Sequence, residues 1–351
     1  MFKGLSWISK TMLFLNVVLV FTTLMAYLLP FLAPKWFPVL SVLTLFLPLF
    51  LVFNLLFFLY WFIQFKKYIF VSGIALLLGI TFINKFYNLN QTVLPESESD
   101  FTIMSYNVRL FNKFNWYTKA NIPKEIAKLV DEKQPDILCI QEYTDLEQTR
   151  FSEYKFKQIF KEGKNIIVGN AIFSKYKIIE KGKITFPESN NNVVYTDIIK
   201  EKDTLRVYSM HLQSIKISTD IDDEDIQQMD ENKTRAILRR ISKAFKKQQI
   251  QAELIKQHYQ ECKYKKIICG DMNNSAFSYV YRTIKGSMED AFESNGSGFG
   301  KTYNFKYYPA RIDYILVDKK MQVKEFETLN DFYNSDHFPL LARINCSKED
   351  L

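Results

Sequence analysis

The sequence is poor in the residues that build zinc sites and disulfide scaffolds. Among 351 residues it has three histidines and four cysteines, which are Cys139, Cys262, Cys269 and Cys346. No two cysteines have CxxC spacing, so neither a structural zinc site nor a redox dithiol is indicated. Cys139 and Cys269 lie in apolar runs, where a thiol usually behaves as a small buried hydrophobe.

Charge is absent from long stretches near the N-terminus. The uncharged stretches are residues 11–34, 36–65 and 68–84. A helix needs roughly 20 apolar residues to cross the hydrocarbon core of a bilayer. A signal peptide or a buried core helix is less consistent with three such runs in succession, none with a polar face. We therefore predict an all-α transmembrane region in residues 1–95, with three helices near residues 11–33, 38–63 and 68–86.

Lysines near the predicted helix ends indicate an orientation. Lys3 and Lys10 precede the first helix and Lys66 and Lys67 follow the second, whereas the other side carries Lys35 and Lys85. Positive loops favour the cytoplasm. The bias of four lysines against two therefore predicts an integral protein of a bacterial inner membrane, with the C-terminal part in the periplasm or otherwise outside the cytoplasm.

After a short polar segment at residues 87–100, predicted to be a linker, apolar strand-like and helix-like segments alternate. The strand-like segments are 101–108, 136–141, 165–174, 193–199, 204–211, 266–270, 311–317 and 340–344, and the helix-like ones are 123–132 and 223–261. Such a mixture is typical of a layered α/β domain. The net charge of +8 suits an anionic substrate or lipid surface but would also suit many other proteins.

Polar residues gather where these strands begin or end, which is where side chains can face a cleft. They are Asn107, Glu142, His211, Asp271, Asn273, Asp313, Asp336 and His337. Carboxylate and amide oxygens suit a hard cation such as Mg²⁺ or Mn²⁺, and histidines can transfer protons. Metal-assisted hydrolysis of a phosphate ester uses this mixture well.

The segments SYNVR, IQE, SMHLQS, GDMNN, RIDYIL and SDHFPL resemble, in order, the motifs of the endonuclease/exonuclease/phosphatase superfamily. The resemblance covers residues 100–346 and implies a four-layer α/β sandwich as the catalytic domain. One motif alone is weak, whereas six in order are specific. His258 is the one histidine outside these motifs, and we expect it to be an ordinary surface residue of the helix over 223–261.

The resemblance also implies roles for individual residues. Glu142 would be the principal metal ligand, with Asn107 and Asp336 as further metal contacts. Asp271 would orient or deprotonate the attacking water or handle the leaving group, and Asn273 would hold a phosphate oxygen.

The two motif histidines would act on the phosphate itself. His337 would contact the scissile phosphate with Asp313 as its carboxylate partner, and His211 would be a second catalytic histidine, as in the deoxyribonuclease and sphingomyelinase branches. Arg109 stands where some nuclease branches have a carboxylate, which puts a metal contact there in doubt. Its planar guanidinium suits a phosphate instead.

These inferences predict a metal-dependent hydrolase of a phosphodiester, with nucleic acid or a lipid headgroup as the partner. A phospholipid or sphingolipid phosphodiesterase or phosphatase is a second reading, because the predicted anchor brings the site close to lipid. A non-catalytic, membrane-tethered binding module is a third, although the motif residues a dead site would lose are present except at Arg109.

Overall fold

The computed structural model describes residues 6–89, 92–119, 121–149, 151–163, 167–215, 230–306 and 308–348. Helices form the first part of the chain and then alternate with strands. In chain order the helices are α1 (Trp7–Leu28), α2 (Leu47–Ile63), α3 (Ile69–Leu78), α4 (Ile80–Ile83), α5 (Ile122–Lys133), α6 (Glu231–Gln260), α7 (Tyr279–Lys285) and α8 (Ala291–Asn295). Short 3-10 turns cover Leu29–Phe31, Leu40–Phe46, Arg109–Asn112 and Glu147–Thr149.

The strands all follow the apolar helices. They are β1 (Tyr87–Asn88), β2 (Asp100–Asn107), β3 (Ile137–Tyr143), β4 (Phe156–Glu162), β5 (Val168–Ser174), β6 (Ile178–Thr185), β7 (Asn192–Lys200), β8 (Asp203–His211), β9 (Lys265–Asp271), β10 (Glu289–Asp290), β11 (Gly298–Phe299), β12 (Asp313–Val317), β13 (Gln322–Thr328) and β14 (Leu340–Asn345). The predicted strand over 311–317 therefore begins two residues later, at Asp313.

Two six-stranded sheets make up the body of the C-terminal part. Their strand orders are β13-β14-β2-β3-β5-β4 and β10-β12-β9-β8-β7-β6. Each sheet has one parallel pair, β2 with β3 and β8 with β9, and its other pairs are antiparallel. The carboxyl ends of these four parallel strands lie at one edge of the two sheets, where β12 and β14 begin.

Three apolar clusters hold the layers together. One lies between the sheets and includes Ile103 and Cys139 of the first sheet and Val207 and Cys269 of the second. A second packs α5 on the outer face of the first sheet, and a third packs α6 and α7 on the outer face of the second. The layer order is helix, sheet, sheet, helix, and the two cysteines are buried as predicted.

Helix α6 starts later than the predicted limit of residue 223. The side chain of Asp230 accepts a hydrogen bond from the Lys233 amide at 2.7 Å, which caps the first turn. Residues 216–229 lie outside the described part of the chain. His258 of α6 is not an ordinary surface residue. Its ring lies between Tyr195, at 4.6 Å between centroids, and Tyr208, whose hydroxyl is 3.1 Å from His258 Nδ1.

Two N-terminal helical segments are long and apolar enough to cross a membrane, Trp7–Phe31 and Leu40–Ile63. The third predicted span, 68–86, contains the ten-residue helix α3 and the single turn α4, joined at Gly79. At 1.5 Å per residue, the segment from Ile69 to Ile83 extends about 22 Å, which is less than the roughly 30 Å of a hydrocarbon core.

Polar side chains join these helices to one another. Asn16 of α1 donates to Ser72 Oγ of α3 at 2.6 Å, and Trp61 of α2 donates to Asn16 Oδ1 at 3.0 Å. Asn54 of α2 donates to Thr23 Oγ1 of α1 at 2.8 Å. Between apolar helices such bonds contribute about 0.6–2 kcal/mol each and fix their register.

The helical region rests directly on the α/β part. The Lys35 amide donates to Gln249 Oε1 at 2.8 Å, and Ser242 Oγ donates to Pro38 O at 3.3 Å, so the first loop is bound to α6. The segment predicted as a linker is also attached, since β1 pairs with β11 and the Leu94 amide donates to Lys324 O at 3.0 Å.

Candidate active site

All nine sequence-predicted site residues lie in one contact network at the edge where β2, β3, β8 and β9 end. Asp271 is the last residue of β9 and lies opposite Asp313, the first residue of antiparallel β12. Asp271 also lies beside His211, the last residue of β8. Residues far apart in sequence meet here because parallel strands present their carboxyl ends at the same edge of a sheet.

Asp271 is the centre of the network. Its carboxylate accepts hydrogen bonds from the Asn273 amide at 2.7 Å, from Asn273 Nδ2 at 3.0 Å and from Asn107 Nδ2 at 3.1 Å. It is 1% exposed, and burial together with the charge of Asp313 raises the pKa of Asp271 to about 6. The carboxylate is therefore ionised at neutral pH and close to the pKa that suits a general base.

The backbone before Asp271 requires glycine. Gly270 has φ +127°, and a Cβ at this position would lie 2.1 Å from Met210 O of the neighbouring strand β8. The close approach of β8 and β9 at this point brings His211 and Asp271 together. This explains in physical terms why a glycine precedes the aspartate in GDMNN.

His337 and Asp313 form a buried pair. His337 Nδ1 lies 2.9 Å from Asp313 Oδ2, and Nε2 points toward Asp271 Oδ2 at 3.8 Å. Burial alone would lower the pKa of His337, but the charges of Asp313 and Asp271 outweigh it and raise that pKa to about 10. Arg311, the other candidate partner of Asp313, pairs instead with Asp290 at 2.7 Å.

His211 lies between two carboxylates. Its Nε2 is 3.7 Å from Asp271 Oδ2 and 3.8 Å from Glu142 Oε1. Burial lowers the pKa of His211, so its ring is neutral at pH 7. The two histidines thus have opposite electrostatic characters, His337 cationic and His211 neutral, because only His337 has a carboxylate in direct hydrogen-bonding contact.

Glu142 is aimed into the cleft by an irregularity in β3. The register with β5 shifts between Ile140 and Tyr143, and Glu142 has a left-handed backbone with φ +52°. Such bulges re-aim a side chain at a sheet edge. Burial and the nearby charge of Asp336 raise the pKa of Glu142. The carboxylates of Glu142 and Asp336 therefore repel each other across the cleft.

Asn107, Arg109 and Asp336 complete the network. The Arg109 amide donates to Asn107 Oδ1 at 3.1 Å, and Arg109 Nε lies 3.3 Å from Asp336 Oδ2. The guanidinium also lies over the Trp116 ring at 4.8 Å and donates to the Tyr117 hydroxyl at 3.3 Å. The loop after Asn107 is thus folded so that one cation faces the acidic side of the cleft.

Among the described residues, Asp271, Asp313 and His337 each offer a ligand atom within 4.8 Å of the others. The hydrogen bond between Asp313 and His337 accounts for most of this closeness. The predicted metal ligands Asn107, Glu142 and Asp336 are not in this group, and their assignment stays a prediction.

Supporting residues were missing from the sequence-based site. Thr302 Oγ1 accepts from the Asp313 amide at 3.0 Å, and Ser335 Oγ donates to Asn107 O at 2.8 Å. Tyr303 packs its ring 4.9 Å from that of His337. Ser335 lies inside the SDHFPL motif and could have been considered from it. Tyr303 is one of the tyrosines near RIDYIL that could stack on a base or sugar, whereas Thr302 lies in a loop without a pattern of its own.

Comparison with known families agrees with this arrangement. A sequence model described as the Endonuclease/Exonuclease/phosphatase family matches residues 104–337, and one described as a domain of unknown function matches residues 9–86. A search of curated protein sequences found no match.

Solved structures share the fold at low sequence identity. The chain is similar to an endonuclease/exonuclease/phosphatase from Beutenbergia cavernae DSM 12333, with 14% identity, 71% of this chain and 72% of that chain covered, and a TM-score of 0.53. It is also similar to D. rerio TDP2 humanized by 14 mutations, with 18% identity, 71% of this chain and 100% of that chain covered, and a TM-score of 0.51. A third similar structure is the human Nocturnin catalytic domain with bound sulfate anion, with 18% identity, 73% of this chain and 96% of that chain covered, and a TM-score of 0.51.

Proposed function

The chain belongs to the endonuclease/exonuclease/phosphatase family and is a hydrolase of phosphate esters, and from that premise we propose that it cleaves a phosphodiester with metal-activated water at a membrane-anchored domain. The observation that carries the proposal is the network at one sheet edge, in which a cationic His337, a neutral His211 and the ionised Asp271 surround one cleft. The completeness of this set argues against a non-catalytic binding module.

A divalent cation fits the acidic side of this cleft. Glu142, Asp336 and the amide oxygen of Asn107 offer only oxygen atoms, which suits Mg²⁺ or Mn²⁺. Burial and the charge of Asp336 raise the pKa of Glu142, and a bound cation would relieve the repulsion between these two carboxylates. When bound, the ion would offset charge on the phosphate oxygens and make a coordinated water more acidic.

The side chains of the cleft then have separate roles in the reaction. Asp271, held by Asn273 and Asn107, accepts a proton from the attacking water. His337 donates its Nε2 proton toward a phosphate oxygen, because its Nδ1 proton is engaged by Asp313. His211 and the amide of Asn273 orient the phosphate, and Arg109 supplies positive charge opposite Asp336.

The packing of the N-terminal helices supports anchoring by three spans. One apolar cluster joins Leu13, Trp61 and Tyr68. Another joins Tyr27 and Leu47 to Phe277 of the catalytic domain, with Phe82 and Phe86 packed against it. Each of the three helical segments thus contributes to both clusters. These clusters lie at opposite ends of the helical region, and the chain passes from one to the other three times. The N-terminus and the catalytic domain would therefore lie on opposite sides of the membrane.

The charge bias supports one orientation of these spans. Lys10, Lys66 and Lys67 lie at the end away from the catalytic domain, and positive loops favour the cytoplasm. The catalytic domain would therefore lie outside the cytoplasm. The third segment is short, and locally thinned lipid would accommodate it at a modest cost.

Hydrolysis of bis(p-nitrophenyl) phosphate by the purified full chain tests the chemistry. We expect turnover with Mg²⁺, none with EDTA, and a loss of about 10²–10³-fold in Glu142→Gln, since a lost metal ligand removes several kcal/mol of transition-state stabilisation. The matched control is Glu147→Gln, an exposed glutamate five residues away. Equal turnover in both variants and the wild type, with unchanged thermal unfolding, would sink the site assignment.

A further inference from the structure

An apolar cavity of about 450 Å³ lies between the helical region and the catalytic cleft. Leu45, Phe46 and Leu49, from the start of the second apolar helical segment, form one wall. The opposite wall includes Asn273 and Tyr303. Since Asn273 donates to Asp271 and Tyr303 packs on His337, the cavity starts where the phosphate-handling groups are.

Several polar groups of the cavity wall are hydrogen-bonded within the protein, whereas Ser275 Oγ and Arg311 Nε are buried without a hydrogen-bond partner among the described residues. Asn274 donates to Gln248 Oε1 at 2.7 Å, and its own Oδ1 accepts from the Ser275 amide. The Arg311 guanidinium is bound by Asp290 at 2.7 Å and by Lys85 O at 3.1 Å. What remains for an occupant is mainly aliphatic and aromatic surface.

The helical wall is fixed to the catalytic domain rather than loosely apposed. Val42 packs in a cluster with Ile241 and Phe245 of α6, directly before the cavity residues of the same 3-10 turn. On the other side, the rings of Phe86 and Tyr308 stack at 6.0 Å between centroids. A cavity held open by such contacts is preformed, which lowers the cost of binding.

The cavity wall formed by Leu45, Phe46 and Leu49 is also partly exposed on the outer surface of the helical region. Phe46 is 47% exposed and Leu49 is 44% exposed, on a segment long and apolar enough to cross a membrane. The cavity therefore connects the cleft to a surface suited to lipid. A nucleobase could stack on Tyr303 or Tyr308, but its polar edge would meet few available hydrogen-bonding groups here.

We propose that the substrate is a lipid phosphate ester whose hydrocarbon chain occupies this cavity while its phosphate lies among Asp271, Asn273 and His337. The inference rests on the proposed function, since it assigns a substrate class to the same hydrolytic site. Leu45, Phe46 and Leu49 are then specificity-determining residues supplied by the membrane region.

Two esters with the same scissile bond test the proposal, methyl and dodecyl p-nitrophenyl phosphate, both used below the concentration at which they aggregate. The full chain would be held in amphipol with Mg²⁺. We expect kcat/KM to be at least about tenfold higher for the dodecyl ester, since burial of only two of its methylenes, at about 0.8 kcal/mol each, already corresponds to that factor. Leu49→Trp, which fills the cavity, should bring the ratio of kcat/KM for the dodecyl ester over the methyl ester close to one.

Leu55→Trp is the matched control, because Leu55 lies on the same helix, is 47% exposed and does not line the cavity. It should keep the wild-type preference. Equal kcat/KM for the two esters in the wild type, or equal effects of the two tryptophans, would overturn the proposal. So would a preference for the p-nitrophenyl ester of thymidine monophosphate that Leu49→Trp removes, since it would assign the cavity to a base.

Calorimetric binding of dodecyl and methyl phosphate separates failure of this inference from failure of the proposed function. Tighter binding of dodecyl phosphate, lost in Leu49→Trp and kept in Leu55→Trp, supports the cavity assignment even if neither ester is hydrolysed, in which case the hydrolytic function fails. Turnover of both esters without any chain preference keeps the hydrolytic function and refutes the lipid substrate.

Discussion

Several residues of the cleft have backbone conformations that their side chains do not favour. Arg109, Glu142 and Asn273 have φ of +42°, +52° and +49°. A left-handed conformation costs a non-glycine residue about 1–2 kcal/mol. Such strain persists where the surrounding structure over-determines it and is concentrated at functional sites. In this chain the three strained residues carry a cation, a carboxylate and an amide into the same cleft.

At this scale the pair of His337 and Asp313 gives a direct prediction. Asp313→Asn keeps the size of the side chain and one hydrogen-bond acceptor but removes the negative charge beside Nδ1. We expect kcat to fall by about 10²–10⁴-fold, the usual contribution of a positioned proton donor, with little change in the unfolding temperature.

Hydrolysis rates and thermal unfolding of the full chain measure both effects. Asp331→Asn, an exposed aspartate in the loop before Ser335, serves as the control and should leave both quantities unchanged. If Asp313→Asn retained wild-type kcat, the pairing would be structural rather than functional.

Among whole elements, the strands that sequence analysis found are those buried on both faces. Segments such as 136–141 and 266–270 are continuous apolar runs because both sheet faces are covered. The longer strands that it missed, β4, β6 and β13, lie at the edges of the two sheets, and the two-residue strands β1, β10 and β11 were missed as well. Their sequences mix charged and apolar residues, as in FKQIFKE of β4, and give no continuous apolar run.

The site residues were predictable for the same reason that the central strands were. Asn107, His211 and Asp271 end strands whose carboxyl ends meet at one edge. The cavity was not predictable, because it joins residues 45–49 to residues 303–312 through tertiary packing that leaves no periodic pattern in the sequence. Nor was the shortness of the third apolar helix, whose composition continues past its end at Gly79.

Helix α6 provides a pH-dependent contact away from the cleft. Burial, followed by the charge of Arg206, lowers the pKa of His258, which packs between Tyr195 and Tyr208. Its unfolded pKa is about 6.5, so below that pH the unfolded chain binds more protons at this site than the folded one. Stability from this site is therefore present above about pH 6.5 and is lost as the pH falls.

We expect the unfolding temperature of the full chain to drop between about pH 7 and 5, and the drop to be smaller in His258→Gln, which has no titrating ring. Thermal unfolding across this pH range, followed by circular dichroism, measures it. An identical slope in both proteins would show that His258 does not titrate differently in the folded state.

In the molecule as a whole, the N-terminal helices and the catalytic domain are packed together as one unit. The first loop is bonded to α6, and the segment after the third apolar helix is bonded to the domain through Arg311 and Lys85. Removing the helices would therefore expose Phe277 to solvent. It would also expose Ile241 and Phe245 of α6, which are buried against Val42.

The three proposed crossings predict opposite sides of the membrane for two lysines. In a Cys262→Ser background, Lys263→Cys should react with a membrane-impermeant maleimide in intact spheroplasts, whereas Lys67→Cys should react only after lysis. Both lysines are exposed, so access is limited only by the bilayer. Labelling of both positions before lysis would refute an odd number of crossings, and the reverse pattern would place the catalytic domain in the cytoplasm.

The direct contact between the catalytic domain and the N-terminal helices also affects how the enzyme would encounter its substrate. If the helices span a bilayer as proposed, these contacts would hold the cleft at one height above it, within reach of the molecules that surround the helices. For a substrate in the same bilayer, encounters occur by lateral diffusion, and the concentration that matters is the number of molecules per unit area. Diluting that substrate with inert lipid then slows the reaction even when its amount per litre stays the same.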